Sequence, residues 1–582
     1  MPNKDEIAGT LESIGQLLEL KGENAFKTRA YANAARTIET YPGNIEQMAR
    51  EERLAEIPGI GEAIAAKITE LVQTGRLEFY EKLRAEFPAT LFDLFELQGV
   101  GPKKIKALYD QLKVTSIPEL EAACKSGRVA ELAGFGEKTA SKMLAAIEAR
   151  GKYANSFRLG TVAPLAENII EHLRSHPEVS QACIAGSYRR RKETVHDLDF
   201  IVATRDPAGV TAHFTSHEAV EAVIAQGPTK TSVRLKAGVQ ADLRVVTNEQ
   251  YPFALVYFTG SKEHNVKLRG MALERGWTLN EYRLGPVEGK TAAPVPAIDE
   301  EGDLHEALGL EYIEPELRED RGEIEAAAAR TLPALVTLDN LRGTFHNHTT
   351  ASDGRSTLEE MAAAARELGL EYLGIADHSK SSFQAHGLDA NRLLAQREEI
   401  RRLNETWDAF RLFAGTECDV MKDGTLDFPD EVLSQLDYVV ASVHNVFNLP
   451  EAVMTARIIR AISNPYVTML GHLTGRLLLS REGYAVDVPA VIEAAASTGT
   501  WIELNANPQR LDMDWRWWPL ANKKGVRCVI NPDAHNTAGL QQLWFGVSIA
   551  RKGWLTRNDV VNCLPLGKIE KALGAKAGRE GK

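Results

Sequence analysis

Apolar residues in the first 150 positions recur at spacings of three and four with few β-branched runs, which predicts a helical segment. Within it a short pattern repeats: LAEIPGIGEAIAAKI (54–68), LFELQGVGPKKIKAL (94–108) and LAGFGEKTASKML (132–144). Each copy places an apolar residue, then Gly-apolar-Gly, ahead of a helix start. From about residue 180 the texture changes to strands, in ACIAGS, DLDFIVAT and ADLRVV. Residues 286–340 are rich in Pro, Ala and Glu and read as a partly helical connector. Beyond Gly343, seven strand candidates alternate with amphipathic helices: GTFHNH, YLGIADH, LFAGTE, YVVASVH, VTMLGH, WIELNAN and RCVINPDAH. Nearly every one ends in His, Glu, Asp or Asn. In a parallel βα barrel all strand C-termini lie on one face, so polar ends in series predict one shared site.

The chain of 582 residues exceeds a single core and suggests about three to five units. Its N-terminus, MPNKDEIAGTLESIG, lacks the order of a secretory signal, and no apolar run approaches the roughly 18 residues of a membrane span. The five cysteines are scattered without a CxxC pair, as reduced thiols are, so the expected location is the cytoplasm. A net charge of −12 argues against a nucleic-acid partner until it is divided along the chain. Residues 1–150 carry −3, residues 151–285 carry +3, and residues 286–582 carry −12. Local patches set phosphate affinity, so the acidic C-terminal half leaves DNA contact upstream open.

A Gly-x-Gly turn entering a helix exposes backbone N–H groups at the positive end of a helix dipole, an arrangement that cradles phosphate. One copy is more often an ordinary helix–helix turn. Three copies, two followed by lysines (Lys103, Lys104 and Lys106; Lys138 and Lys142), favour DNA-backbone contact through Gly59, Gly61, Gly99, Gly101, Gly134 and Gly136. Asp197 and Asp199 alternate on one strand and so share a face, and Asp242 lies on another strand candidate. Three convergent carboxylates repel one another unless cations sit between them, as in two-metal phosphoryl transfer. Further on, His346, His348, Asp353, His378, Glu417, His444, His472, Asp533 and His535 cluster at strand ends. A lone histidine there is usually a core residue; this series is a mixed imidazole–carboxylate ligand set suited to Zn²⁺, Mn²⁺ or Fe. His386 falls outside the pattern and reads as a surface residue.

GSYRRR, DLD, the later Asp242 and YFTGSKEHN (257–265) resemble the palm and thumb of DNA polymerase beta and its bacterial X-family relatives. The resemblance implies that Asp197, Asp199 and Asp242 bind two Mg²⁺ or Mn²⁺ ions, with Asp242 also helping to deprotonate the primer hydroxyl. It gives Gly186, Ser187 and Arg190 to the incoming triphosphate, with Arg158 as a further contact. Tyr257, Phe258 and Gly260 would line the nucleotide sugar, and Asn265 and Arg269 the nascent pair and template. His196 departs from the family, which carries glycine there. Residues 9–80 resemble the N-terminal domain of polymerase beta, where a lysine expels a 5′-deoxyribose phosphate through a Schiff base. Lys67 matches that lysine and Lys27 a phosphate-contacting one, but Ala63 replaces a second lysine. Plain phosphate binding and lyase chemistry at Lys67 both stay open. The C-terminal ligand series resembles the polymerase and histidinol phosphatase (PHP) domain, which implies up to three metals and a 3′→5′ exonuclease.

The expected architecture is therefore multidomain, α and α/β. Among the helical helix–hairpin–helix N-terminal domains, a lyase-like DNA-binding domain spans 1–85 and the fingers 86–150, and a nucleotidyltransferase palm with a mixed sheet spans 151–250. A thumb follows at 251–315, a linker at 316–340, and a distorted (βα)7 PHP barrel at 341–575. The implied function is short-gap filling in base excision or end-joining repair, at the nucleoid. The implied partners are gapped or broken double-stranded DNA and deoxynucleoside triphosphates; a membrane is not expected, and the chain is expected to act as a monomer. The rival readings are a 3′-end nuclease with a non-catalytic polymerase core and a DNA end-bridging factor.

Overall fold

The computed structural model describes residues 4–41, 45–97, 99–153, 155–288 and 294–576. It divides into two compact units, residues 1–154 and 155–582.

The first unit is helical, as the apolar spacing predicts. Helices Lys4–Lys21 and Ala25–Thr40 pack on each other through Ile7, Leu11, Ile14 and Leu18 against Tyr31, Ala34 and Ile38. The Asn24 side chain accepts from the Phe26 N–H and starts the second helix. Each glycine repeat opens a helix: Gly61 caps Glu62–Thr74, Gly101 caps Pro102–Leu112, and Gly136 begins Gly136–Lys152.

The second unit begins with a mixed five-stranded sheet. Its order is Val179–Ile184, Asp197–Thr204, Gln240–Val246, Lys230–Leu235, Val220–Gln226, and only the pair 197–204 with 240–246 is parallel. Strand 197–204 is covered on both faces. Leu198, Phe200 and Val202 meet helix Leu159–Arg174, while Ile201 and Ala203 meet Tyr251, Ala254 and Leu255 of helix Tyr251–Thr259. That double burial explains its continuous apolar run. The aspartates occupy the start of the same strand.

The stretch expected as a linker is tightly packed. Leu317, Ile324 and Ala327 share a core with Leu268, Trp277, Leu304 and Leu308, and Arg318 is completely buried. Its guanidinium meets Glu301 at 2.6 Å and donates to the Ile313 carbonyl at 2.9 Å. Proline and acidic residues disguised this segment, because its buried charges are met by partners outside it, Arg318 by Glu301 and Glu323 by His264.

The C-terminal region has two all-parallel sheets. One runs Gly343–Thr344, Tyr372–Ile375, Arg411–Ala414; the other runs Glu417–Asp419, Val440–Ser442, Met469–Leu470, Trp501–Asn505, Cys528–Asn531. Single parallel bridges, His378 with Glu417 and Asn347 with Ala534, link the two sheets. The expected LFAGTE strand thus breaks at Gly415–Thr416. Alternation sorts the side chains: Tyr372, Phe413, Tyr438, Met469, Trp501 and Val529 gather with Phe345 in one cluster, while Leu373, Leu412, Ala441, Ile502 and Ile530 join the other, larger one. Among the described residues no helix is long and apolar enough to cross a membrane.

Candidate active sites

In the first site, Asp199 and Asp242 are register partners on the two parallel strands, and Asp197 shares their face two residues earlier. Burial, then the charges of Asp197 and Asp242, push Asp199 up to about 7. Asp197 is raised as well, by burial and Asp242. Burial also works to raise Asp242, but Lys230, Ser232 and Gln240 hold it below the usual carboxylate range. Lys230 Nζ lies 2.5 Å from its Oδ2 and Gln240 Nε2 2.9 Å from its Oδ1. A carboxyl driven toward neutrality by burial and by two neighbouring carboxylates is what a divalent cation relieves, so the residues fit metal ions.

Gly186 packs against this group, at φ +61°. A Cβ there would fall 2.2 Å from Asp199 Oδ2. Ser187 is partly exposed on the same turn. Arg190 is already engaged: Nε donates to Glu319 at 3.0 Å and Nη1 to the Thr259 carbonyl at 2.8 Å. Tyr257 and Phe258 end helix 251–259, and the Arg244 guanidinium lies 4.6 Å from the Phe258 ring centre. Gly260 breaks that helix, and the Asn265 amide closes the break by donating to the Tyr257 carbonyl at 2.6 Å. Arg269 is exposed on the following helix. Arg158 pairs with Thr194, just before exposed His196, whose Nε2 is 3.3 Å from Ser156 Oγ.

In the second site all nine expected residues converge. They contain three groups with ligand atoms within 4.8 Å of one another: His348, Asp353, His378 and His535; His346, His348 and Asp533; and His378, Glu417 and His444. Glu417 is the hub, with Oε1 2.9 Å from His472, 3.1 Å from His444 and 3.2 Å from His346, and Oε2 2.8 Å from His378. Yet His346 Nε2 and His378 Nδ1 are buried without a hydrogen bond, their approach to Glu417 having the wrong geometry for one. Two unbonded imidazole nitrogens facing a carboxylate fit shared cations. Electrostatics agree: burial opposes the charge on His444 and His535, but Glu417 and Asp419 lift the first to about 10, and Asp353 and Asp533 the second to about 9. Burial and the neighbouring His535 and His378 push His348 down to about 4.

Several residues here were not anticipated. Glu503 Oε2 takes His346 Nδ1 at 2.6 Å, and Asp419 Oδ1 takes His444 Nδ1 at 2.5 Å. These bonds fix which imidazole nitrogen faces inward. Asp377 accepts from the Thr349 N–H, Thr349 Oγ1 and Ser352 Oγ, which holds the loop carrying Asp353. Arg510 Nε lies 3.6 Å from Asp533 Oδ2 and adds a cation at the rim. The available signal was a charge inside an apolar strand, as Glu503 is in WIELN. His386 is exposed, as expected.

In the helical unit, Gly59, Gly99 and Gly134 have φ of +91°, +79° and +85°, which their turns require. Gly61 and Gly101 have ordinary φ, and a Cβ there would meet nothing within 4 Å. The protein itself does not need glycine at those two positions; a close-approaching ligand would. Lys67 Nζ donates to the Ala63 carbonyl at 3.0 Å and lies 4.9 Å from the Phe79 ring centre. Lys27 is exposed, 3.3 Å from Glu23.

Four family models match the chain: a helix-hairpin-helix domain over residues 1–77, a SAM-like helix-hairpin-helix tandem over 92–149, the DNA polymerase beta thumb over 254–319, and the PHP domain over 344–506. Over 570 residues the chain is 40% identical to the DNA polymerase/3′-5′ exonuclease PolX of Bacillus subtilis (strain 168), covering 98% of this chain and 99% of that protein. A probable phosphatase of Thermoanaerobacter sp. (strain X514) is 29% identical over 243 residues, 40% of this chain and 94% of its own length. A probable phosphatase of Acetivibrio thermocellus is 30% identical over 199 residues, 33% of this chain and 78% of its own.

Proposed function

Because the chain belongs to the PolX family of bacterial X-family DNA polymerases with a PHP domain, we propose that its two sites divide the work of repairing a 3′ end: the aspartate site adds nucleotides across short gaps, and the histidine site removes them. The protein is a DNA polymerase with 3′→5′ exonuclease activity, it depends on divalent metal, and DNA is its substrate. The observation that supports the division is two separate clusters of convergent side chains on one chain, three aspartates in one and histidines with carboxylates in the other.

Asp197, Asp199 and Asp242 are the ligands for two Mg²⁺ or Mn²⁺ ions; His346, His348, Asp353, His378, Glu417, His444, His472, Asp533 and His535 hold up to three of Mn²⁺, Zn²⁺ or Fe. When bound, such ions stabilise charge on attacking and leaving oxygens and activate water for phosphodiester hydrolysis. The chain's own groups orient the substrates. The backbone at Gly186, with Ser187 and Arg190, receives the triphosphate. Asp242, oriented by Lys230 and Gln240, accepts the proton of the primer 3′-hydroxyl. Tyr257, Phe258 and Gly260 face the nucleotide sugar. Asn265 keeps that segment in shape through the Tyr257 carbonyl, and Arg269 reaches the template.

The glycine turns at 59–61, 99–101 and 134–136 hold DNA backbone, and Lys27 and Lys67 hold the 5′-phosphate of the gap. Phosphate binding at Lys67 is favoured over Schiff-base chemistry, because Nζ donates to a carbonyl and faces an aromatic ring. The domain boundaries follow: helical domains at 1–85 and 86–150, palm 151–250, thumb 251–315, and PHP 341–575. Gap filling in base excision or end joining, on nucleoid DNA, is the repair role. A primer annealed to leave a one-nucleotide gap tests the proposal: extension by one residue with nucleotides and shortening without them is expected, and shortening under both conditions overturns it.

A further inference from the structure

Arg189, Arg190 and Arg191 leave the Gly186 turn in three directions. Arg189 pairs with Glu301 at 2.6 Å, Arg191 lies 4.4 Å from the Trp544 ring centre, and Arg190 pairs with Glu319. Glu319 is shared. The same Oε1 that accepts from Arg190 also accepts from Lys552 Nζ at 2.6 Å. Lys552 ends helix Leu543–Lys552, which packs against strand Cys528–Asn531 in the C-terminal region. The triphosphate arginine is therefore held by a carboxylate that is itself held by the phosphoesterase part of the chain.

The environment of Lys552 is unusually committed. Its side chain is wholly buried, it also donates to the Arg190 carbonyl at 3.1 Å and the Glu316 carbonyl at 3.3 Å, and it sits 4.6 Å from the Trp515 ring centre. Three ammonium protons thus meet three oxygens, two of which belong to Arg190 or its partner. An apolar side chain would fill such a space at lower desolvation cost. With Nε and Nη1 of Arg190 committed to Glu319 and Thr259, its guanidinium plane is fixed, and Nη2 has no protein partner among the described residues. A carboxylate released from Lys552 would be free to grip Arg190 through both edges of the fork, the geometry that arginine and carboxylate prefer.

We infer that Lys552 is a positioning residue for nucleotide addition: by anchoring Glu319 it keeps the Arg190 guanidinium oriented, with Nη2 free, for the incoming triphosphate. The inference rests on the reading of Arg190 as a triphosphate contact. It makes nucleotide affinity at the aspartate site depend on a side chain of the PHP region.

The test is steady-state filling of a one-nucleotide gap by the full-length protein, with KM for the nucleotide and kcat measured separately. Lys552→Met is expected to raise KM about ten-fold with kcat within about two-fold, the size of a typical coupling between sites. Combined with Arg190→Lys, it is expected to add little to the effect of that substitution alone. Exonuclease activity on single-stranded DNA, expected to persist, reports that Lys552→Met is folded. If that activity is lost, Glu319→Gln decides instead, with the same expected rise in KM. An unchanged KM for Arg190→Lys overturns the triphosphate reading itself. A raised KM for Arg190→Lys beside an unchanged KM for the deciding variant, or fully additive effects, overturns the role of Lys552 alone.

Discussion

Asp199 and Asp242 stand opposite each other in register on neighbouring parallel strands, with no residue of either strand between them. Gly186 closes the group from one side, and a methyl there would meet Asp199 Oδ2 at 2.2 Å. Gly186→Ala is therefore expected to displace the carboxylate and lower nucleotide addition by about 100-fold, as ångström-scale misplacement does. Exonuclease rates should be unaffected. Primer extension and primer shortening measured on the same preparation check both halves.

Glu417 faces four imidazoles within 3.2 Å. Its replacement by Gln removes the charge on which they converge. Glu417→Gln is expected to lower bound metal, measured by elemental analysis, and to reduce exonuclease activity by at least about 100-fold while extension continues. Chelation followed by Mn²⁺ should restore the wild type and leave the variant inactive.

Glu503 touches the site through His346 Nδ1, through the His472 backbone N–H, and through the Asn505 and Asn531 amides. Loss of such a supporting bond typically weakens metal binding about 10- to 100-fold. Glu503→Gln should therefore be rescued by raised Mn²⁺, which distinguishes it from Glu417→Gln.

Glu301 links Arg189 to fully buried Arg318. Burial opposes its charge, but Arg318 and Arg189 hold it at about 2, below its ordinary 4.5. A depressed carboxyl stabilises the fold above its ordinary value, and that stability drains away as pH falls from 4.5 through about 2. Glu301→Gln strands a buried guanidinium and should cost roughly 3–5 kcal/mol near neutrality. Thermal melts across pH should show the wild type losing its advantage over the variant on acidification. A constant gap would contradict the assignment.

Legibility in the sequence followed exposure to a simple period. Most of the nine PHP-type residues could be read because they close apolar runs, Asp353 only through the family resemblance, and the structure brings all nine together. Asp197 and Asp199 could be read because alternation forces them to one face, while Asp242 joins them through the register of a neighbouring strand. Glu503, Asp377 and Asp419 were missed because their role depends on which neighbour they meet across the sheet, information that no single run contains. The packing of segment 316–340 was hidden for a related reason: Arg318 and Glu323 look like solvent-facing charges until Glu301 and His264 arrive from elsewhere in the chain. Arg190 was legible as part of GSYRRR, but its ties to Glu319 and Lys552 span 129 and 362 residues.

The most direct test of two independent sites is one gel of 5′-labelled primer on a one-nucleotide gap, in Mn²⁺, with and without nucleotides. Asp199→Ala is expected to abolish extension and still shorten the primer; His348→Ala is expected to extend and no longer shorten. If Asp199→Ala extends normally, or if His348→Ala shortens as fast as wild type, the division of labour proposed for this chain is wrong.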